Sequence, residues 1–378
     1  MLGRFTTAAA LLALALAVGA AAGFAAEWYL RNESLADAFA RLRLFHALRQ
    51  AALEDYVNSM ASDVRAASEN PKVVDAIEKL SFAWSAFNTE ARETLQRLYR
   101  EQNQLPAAEK YKLDDAGDGS YYSAYHREFH DWAKRFREHF GYYDVFLISP
   151  KGDILYTVAK ESDFATNLKT GPYRASPLAD VFRRALAQPD APVDFSDFAR
   201  YGPSNNDPAA FAAHAVKKGD TVIGVFAVQI PAEPLNALMH FTAGMGATGE
   251  TYLVGADGLM RSQSRFLKAP TLLETKVENA STRDGLSGGS GAHVVPDYRG
   301  IPVLSVYAPV DFGGQKWVLL AEIDEAEVLG EVQGWIVAAL AAIAGFAAAG
   351  LAFMAHRLSR NQEPEIAGQK AELGGAPS

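Results

Sequence analysis

Cysteine is absent from all 378 residues, which excludes disulfides, iron–sulfur clusters, thiol nucleophiles and thiolate zinc sites. An excess of basic residues is missing too. With 36 Lys and Arg against 45 Asp and Glu, the net charge is -9, and the chain lacks the cationic face that a nucleic acid partner requires. The words of catalysis are also lacking: there is no G-x-S-x-G elbow, no H-E-x-x-H helix, no P-loop and no kinase signature. No catalytic residue, no enzyme activity and no cofactor are therefore assigned. For a metal, "YHREFH" sets His126 and His130 one helical turn apart with Glu128 and His139 near, but no third ligand stands at a partner spacing. "DDAGDG", Asp114 to Gly119, puts Ala116 where a calcium loop needs its second oxygen and reads as a polar turn. No metal is expected.

Charge is missing from two long runs. Thr6 to Ala26 and Gly334 to Ala355 carry none, and each reaches the roughly 20 residues that a helix needs to cross hydrocarbon. Trp28 and Tyr29 follow the first run and Trp335 opens the second, as interfacial aromatics do. Arg4 precedes the first, while His356, Arg357 and Arg360 follow the second, so both termini are expected inside and Glu27 to Gln333 outside. Small residues before Glu27 leave a cleaved signal peptide as the alternative for the first run, with the same orientation. "GAAAG" at Gly19 to Gly23, and Ala341, Gly345 and Ala349, give each run a face of small residues on which helices can pair.

Between the runs, helical periods come first. Leu35, Phe39, Leu42, Leu53, Val57 and Met60 recur near 3.6 residues and predict one long amphipathic helix over Asn32 to Asn70. Asn70-Pro71 restarts helix through "KVVDAIEKLSFAWSAF", "TEARETLQRLYREQN" continues it, and "YYSAYHREFHDWAKRFREHF" forms another. After Gly141 the period changes to two. "YYDVFLISPKGDILYTV" predicts a hairpin about Gly152, and "ETYLVGADGLMRSQS" a second about Gly258. Phe211 to Ile230 aligns without a gap on Leu304 to Ile323, each an apolar strand, a polar turn with Gly and an apolar strand. The chain is thus expected to be α+β, with two modules in series, each an antiparallel sheet with helices on one face and a core of its own.

These features resemble the double Cache sensor domains of bacterial chemoreceptors and sensor histidine kinases, whose modules are PAS-like. The resemblance covers most of Asn32 to Leu329 and rests on "GYYDVFLISPKGDILYTVAKESDFATNL", "TGPYRASPLADVFRRAL", "GETYLVGADGLMRSQSRF" and "DYRGIPVLSVYAPV". It implies a bacterial inner-membrane protein with an extracytoplasmic small-molecule ligand, usually bound in the membrane-distal first module. The organisation expected is a transmembrane helix in 1–29, a helical stalk over 30–140, a distal module over 141–240, a proximal module over 241–330, a second transmembrane helix over 334–355 and a cytoplasmic tail over 356–378. That tail is polar, rich in Gly, Pro, Ala and Glu, and too poor in apolar residues to fold into an output domain. The resemblance also implies pairing along the first helix, through Leu35, Phe39 and Leu42, as a homodimer or with a chemoreceptor or kinase that supplies the output.

Amino-acid-binding members of the family carry an R-x-W-Y stretch, matched here by Thr170, Gly171, Pro172 and Tyr173, and an acidic residue matched by Gln229. Only the tyrosine is kept, although Arg174 stands one position on. Two loops of the first module then supply the candidate ligand-binding residues: Asp163, Asn167, Tyr173 and Arg174 from one, Asp197, Tyr201 and Asn205 from the other. Together they offer donors and acceptors to both ends of a polar ligand. Three functions remain open: a sensor with a borrowed output, a solute-delivery protein for a transporter, and an extracytoplasmic enzyme with a pocket assembled only in three dimensions. Two spans continuous with the modules favour the sensor, because two helices can transmit a relative displacement.

Overall fold

The computed structural model describes residues 2–330 together with 334, 338–339, 341–345, 348–350 and 352–353, the side chains of 2–13, 15 and 16 excepted. Two compact units are present, one of residues 1–40 and 325–378 and one of residues 41–324. In the first, helix α1 (Leu2–Ser68) begins, and Arg31 pairs with Glu325 at 3.2 Å. Among the described residues no helix is long and apolar enough to cross a membrane. In the first charge-free run only the side chains of 6–13, 15 and 16, in the second residues 335–337, 340, 346, 347, 351, 354 and 355, and all of the 356–378 tail lie outside the described residues.

The second unit opens with the remainder of α1, whose Leu53, Val57, Met60 and Val64 are buried at the expected spacing. Helix α2 (Pro71–Ala86) starts where Asn70 and Pro71 predict: the Asn70 side chain accepts the Lys72 N–H at 2.9 Å, and Pro71 takes the first-turn position that needs no donor. Asn70→Ala is expected to cost about 1 kcal/mol, read as a lower urea midpoint at unchanged slope. Helix α3 (Ala91–Gln96) is short and runs into one π turn over Arg97–Glu101. Helix α4 (Tyr121–Phe140) is capped by Ser120 and stopped by Gly141, whose φ of 74° a glycine adopts without strain.

The first sheet contains β1 (Asp144–Ile148) and β2 (Ile154–Thr157), followed after helix α5 (Pro177–Ala187) by β3 (Asp194–Phe195), β4 (Ala199–Tyr201), β5 (Asp207–Lys218) and β6 (Thr221–Ile230). Its order is β2-β1-β6-β5-β3, with β4 on β5, and every pairing is antiparallel. Helix α6 (Glu233–Met239) leads to the second sheet: β7 (Glu250–Gly255), helix α7 (Ala280–Leu286), β8 (Gly291–Pro296), β9 (Pro302–Phe312) and β10 (Gln315–Asp324), in the order β7-β10-β9-β8.

Three expectations are corrected here. The first sheet has helices on both faces, not one: Val145 and Leu147 join the core of α1, α2 and α4, while Phe146 and Ile148 pack with Leu178, Val181 and Phe182 of α5. All five β1 residues are buried, as a strand sandwiched between layers requires. The second hairpin also loses its return strand. "LMRSQS" makes only single bridges, Leu259 to Lys276 and Met260 to Val254, and the Ser262 hydroxyl accepts the Leu253 N–H at 3.1 Å where a ladder carbonyl would sit. Finally, the cores are only partly separate: Tyr252, Val254, Met260, Tyr307, Val318 and Leu320 form a cluster of the second sheet's own, but a larger one is shared. One apolar cluster runs from α1 through β1 and β6 to Leu253, Phe312, Trp317 and Leu319 of the second sheet. Phe312 stacks on Trp317 at 4.3 Å, and Phe195 and Phe198 of the first sheet's edge pack on the same pair.

Candidate functional site

The sheet order sets the carboxyl end of β6 beside the amino end of β1, so Gln229 stands directly opposite Asp144. Both point to the α5 face, beyond Phe146 and Ala227. The loop after β2 carries Lys160 to Asp163 past the same corner, and β4 delivers Tyr201 to it: the Tyr201 hydroxyl donates to Asp163 Oδ2 at 2.5 Å. The Tyr173 hydroxyl meets Ser162 Oγ at 2.6 Å, and its ring lies 6.4 Å from that of Tyr201. Beside this corner, reached through Tyr143 and Ala159 to Ser162, opens a cleft of about 790 Å³ whose lining also includes Arg100, Arg137 and Asn205 but not Asp144, Asp163, Tyr173, Tyr201 or Gln229.

The candidate residues divide accordingly. Asp163, Tyr173 and Tyr201 come together, and Asn205 lines the cleft. Asn167 is placed in a turn, its amide donating to Asp153 and its oxygen accepting the N–H groups of Lys169 and Thr170. Arg174 is exposed, and its guanidinium donates to the Gly171 carbonyl at 3.3 Å. Asp197 lies at the junction of the two sheets, where it accepts from Arg261 at 2.7 and 2.8 Å and from the Trp317 indole at 3.1 Å.

The sequence reading missed Asp144 and Lys160, and gave Gln229 only as the place of a lost acid. A sign of Asp144 was available, since a charged residue opening the otherwise apolar strand "DVFLI" needs a buried partner. One Asp144 oxygen accepts three backbone N–H groups, from Val145 and Val158 at 2.7 Å and Ala159 at 2.9 Å. Its other oxygen has no partner. The same holds for Asp163 Oδ1 and Gln229 Oε1, so three buried acceptor atoms in this corner lack donors. Such atoms cost about 1–3 kcal/mol each unless something fills them.

Burial dominates the electrostatics. Desolvation, then the charge of Asp163, pushes the Asp144 carboxyl well up from its ordinary range, and burial pushes Asp163 up to about 7. Lys160 is pulled down by burial, partly offset by attraction to Asp144, and its ammonium lies 4.3 Å from the Tyr156 ring centre. His126 and His130 are held neutral by burial and by the Lys160 charge; His126 Nδ1 meets the Asp114 carbonyl, His130 meets the Tyr111 carbonyl and the Tyr156 hydroxyl, and His126 Nε2 is buried without a partner. Among the described residues no group of three or more His, Asp or Glu is placed to hold a metal. The corner therefore offers buried acceptors, and Arg100 and Arg137 line the cleft beside it.

No family model and no curated protein matches the chain. Among solved structures it is similar to the sensor domain of the histidine kinase DctB of V. cholerae, at 13% identity and a TM-score of 0.40, over 74% of this chain and 96% of that one. It is also similar to the ligand-binding domain of the Pseudomonas aeruginosa chemoreceptor PctB in complex with L-Gln, at 12% and 0.40, over 80% and 98%. A third is the ligand-binding domain of the Pseudomonas fluorescens chemoreceptor CtaA in complex with L-leucine, at 14% and 0.38, over 73% and 97%. These neighbours are Cache-type sensor domains of histidine kinases and amino-acid chemoreceptors.

Proposed function

We propose that this chain is an extracytoplasmic sensor that binds a small polar molecule in the cleft beside Asp163 and signals through a separate partner. The observation that carries the binding site is the set of three donor-starved acceptors, Asp144 Oδ2, Asp163 Oδ1 and Gln229 Oε1, of which Asp144 and Asp163 are next in the chain to Tyr143 and Ser162, residues that line a cleft with Arg100 and Arg137. Buried acceptors without donors destabilise the empty protein, and a ligand that brings N–H or O–H groups relieves them. An anionic end of the same ligand would face Arg100 and Arg137. In this reading 141–240 is the distal, ligand-binding module and 241–330 the proximal one. The two charge-free runs anchor the chain in the inner membrane, and the helix from Asn32 pairs with a second copy, or with a chemoreceptor or kinase that supplies the output.

Titration calorimetry of the full chain in lipid nanodiscs against amines, organic acids, amino acids and nucleobases tests the reading. A hit is expected to bind roughly tenfold more weakly in Tyr201→Phe, because the hydroxyl that holds Asp163 in place is lost and a hydrogen bond to a charged group is worth about 1.5–3 kcal/mol. Arg174→Ala is expected to bind within about twofold of the wild type, since its guanidinium points at its own turn. The reverse ranking would move the site away from Asp163. For orientation, a cysteine placed at Gly119 is expected to react with a membrane-impermeant thiol reagent in spheroplasts, and one at Gly375 is not.

A further inference from the structure

The acidic corner of the first sheet has a counterpart in the second. In the gapless alignment of Phe211–Ile230 on Leu304–Ile323, Gln229 falls on Glu322, and aligning Gly152 with Gly258 sets Asp144 on Glu250. The register agrees: Glu250 stands directly opposite Glu322 on β7 and β10, as Asp144 does opposite Gln229. Both glutamates are 3% exposed. Glu250 accepts the Tyr298 hydroxyl at 2.6 Å and the Arg265 N–H at 2.8 Å, and Glu322 accepts the Tyr252 hydroxyl at 2.9 Å. The Tyr252 and Tyr298 rings meet edge to face at 5.5 Å and wall one side of the pair.

Among the described residues no cation hydrogen-bonds to either carboxylate, although the Arg299 charge favours the ionised form of Glu250. Arg299 is committed to Asp297 and Asp324, and Arg265 to the carbonyls of Gly249 and Ala247. Glu322 Oε1 and the hydroxyl of Ser305, its fully buried neighbour across β9, make no well-aligned hydrogen bond, although the hydroxyl lies near enough to the carboxyl to favour its ionised form. Desolvation drives the Glu322 carboxyl up to about 8, as expected of an acid whose ionised form lacks a counter-ion. Tyr298, which donates to Glu250, is itself only half-buried.

We propose that Glu250, Glu322 and Ser305 form a second binding site, in the second sheet, for the primary ammonium group of a small organic cation. Three N–H donors match Glu322 Oε1, the Ser305 hydroxyl and a lone pair of Glu250, and the positive charge supplies the missing counter-ion. A quaternary ammonium brings charge without donors and does not fit. The site is independent of the first: Asp163 has no part in it.

Thermal unfolding of the full chain in lipid nanodiscs, at pH 8.5 and constant ionic strength, with methylammonium, tetramethylammonium or sodium as the cation, tests this. Methylammonium is expected to raise the unfolding temperature above sodium in the wild type and equally in Asp163→Asn. The rise is expected to vanish in Glu322→Gln, which keeps the acceptor for Tyr252, and to shrink in Ser305→Ala, which leaves every charge in place should the glutamine variant fold poorly. Tetramethylammonium is expected to act like sodium. No difference between methylammonium and sodium, a rise that survives Glu322→Gln and Ser305→Ala, or a rise lost only in Asp163→Asn would each overturn the proposal.

Discussion

Asp163→Asn is expected to make the ligand-free protein more stable at pH 8 than the wild type, and to abolish binding in the first cleft. Burial holds the Asp163 carboxyl up at about 7, far above an unfolded aspartate. Below about pH 4 the group is protonated in the folded and the unfolded chain alike and costs nothing. Between about 4 and 7 the unfolded chain releases its proton while the folded chain keeps it, so the stability this group contributes falls as pH rises; above 7 the loss is complete. The full interval corresponds to at most ~4 kcal/mol, and about 2–4 kcal/mol is expected once relaxation is allowed for. Asparagine carries no charge at any pH and still accepts the Tyr201 hydroxyl. The gain over wild type is therefore expected to be near zero at pH 4 and to level off above pH 7, measured as the difference in urea midpoints. A gain independent of pH would show that Asp163 is not forced to ionise against its surroundings. The buried histidines act in the opposite direction, losing stability as pH falls below about 6.5, but they are common to both proteins and cancel in the difference.

Arg261→Ala is expected to cost about 2–3 kcal/mol. The Arg261 guanidinium forms a two-bond pair with Asp197, and its side chain is 3% exposed against 31% for the aspartate. Removing one partner of a fully buried pair costs about 3–5 kcal/mol, and the partial exposure of Asp197 reduces this. The Trp317 indole donates to the same carboxylate, so the pair ties the edge of the first sheet to the core of the second. Gly255 makes room for it, because a Cβ there would meet the guanidinium carbon at 2.3 Å; Gly255→Ala is expected to destabilise through the same contact. Arg261→Met with Asp197→Asn, which removes both charges and keeps the apolar stem, is expected to cost less than the alanine variant alone. Equal losses in both would mean that the ion pair itself, and neither the packing of the stem nor a stranded carboxylate, holds the junction.

Local chemistry made the helices and turns legible. Asn70-Pro71, Ser120 and Gly141 mark helix ends by groups that satisfy or omit a single backbone bond, and Gly152 and Gly258 adopt the positive φ their turns require. The internal duplication was legible for the same reason, as a strand pair with a glycine turn keeps its period wherever it is copied. The return strand after Gly258 was not, because period-two alternation cannot show that Ser262 takes the amide a ladder would use.

The sequence by itself determined the α+β alternation and the antiparallel strand pairs, and it offered Asp163, Tyr173 and Tyr201 among seven candidates without saying which of them meet. Only the tertiary structure decided which carboxylates lose water without gaining a cation. Asp163 and Asp197 sit in similar polar loops, yet one is sealed beside a cleft and the other is claimed by an arginine 64 residues further along the chain. Such a partner lies beyond any helical or strand period, so its arrival depends on how the sheets pack and leaves no trace in the neighbouring residues.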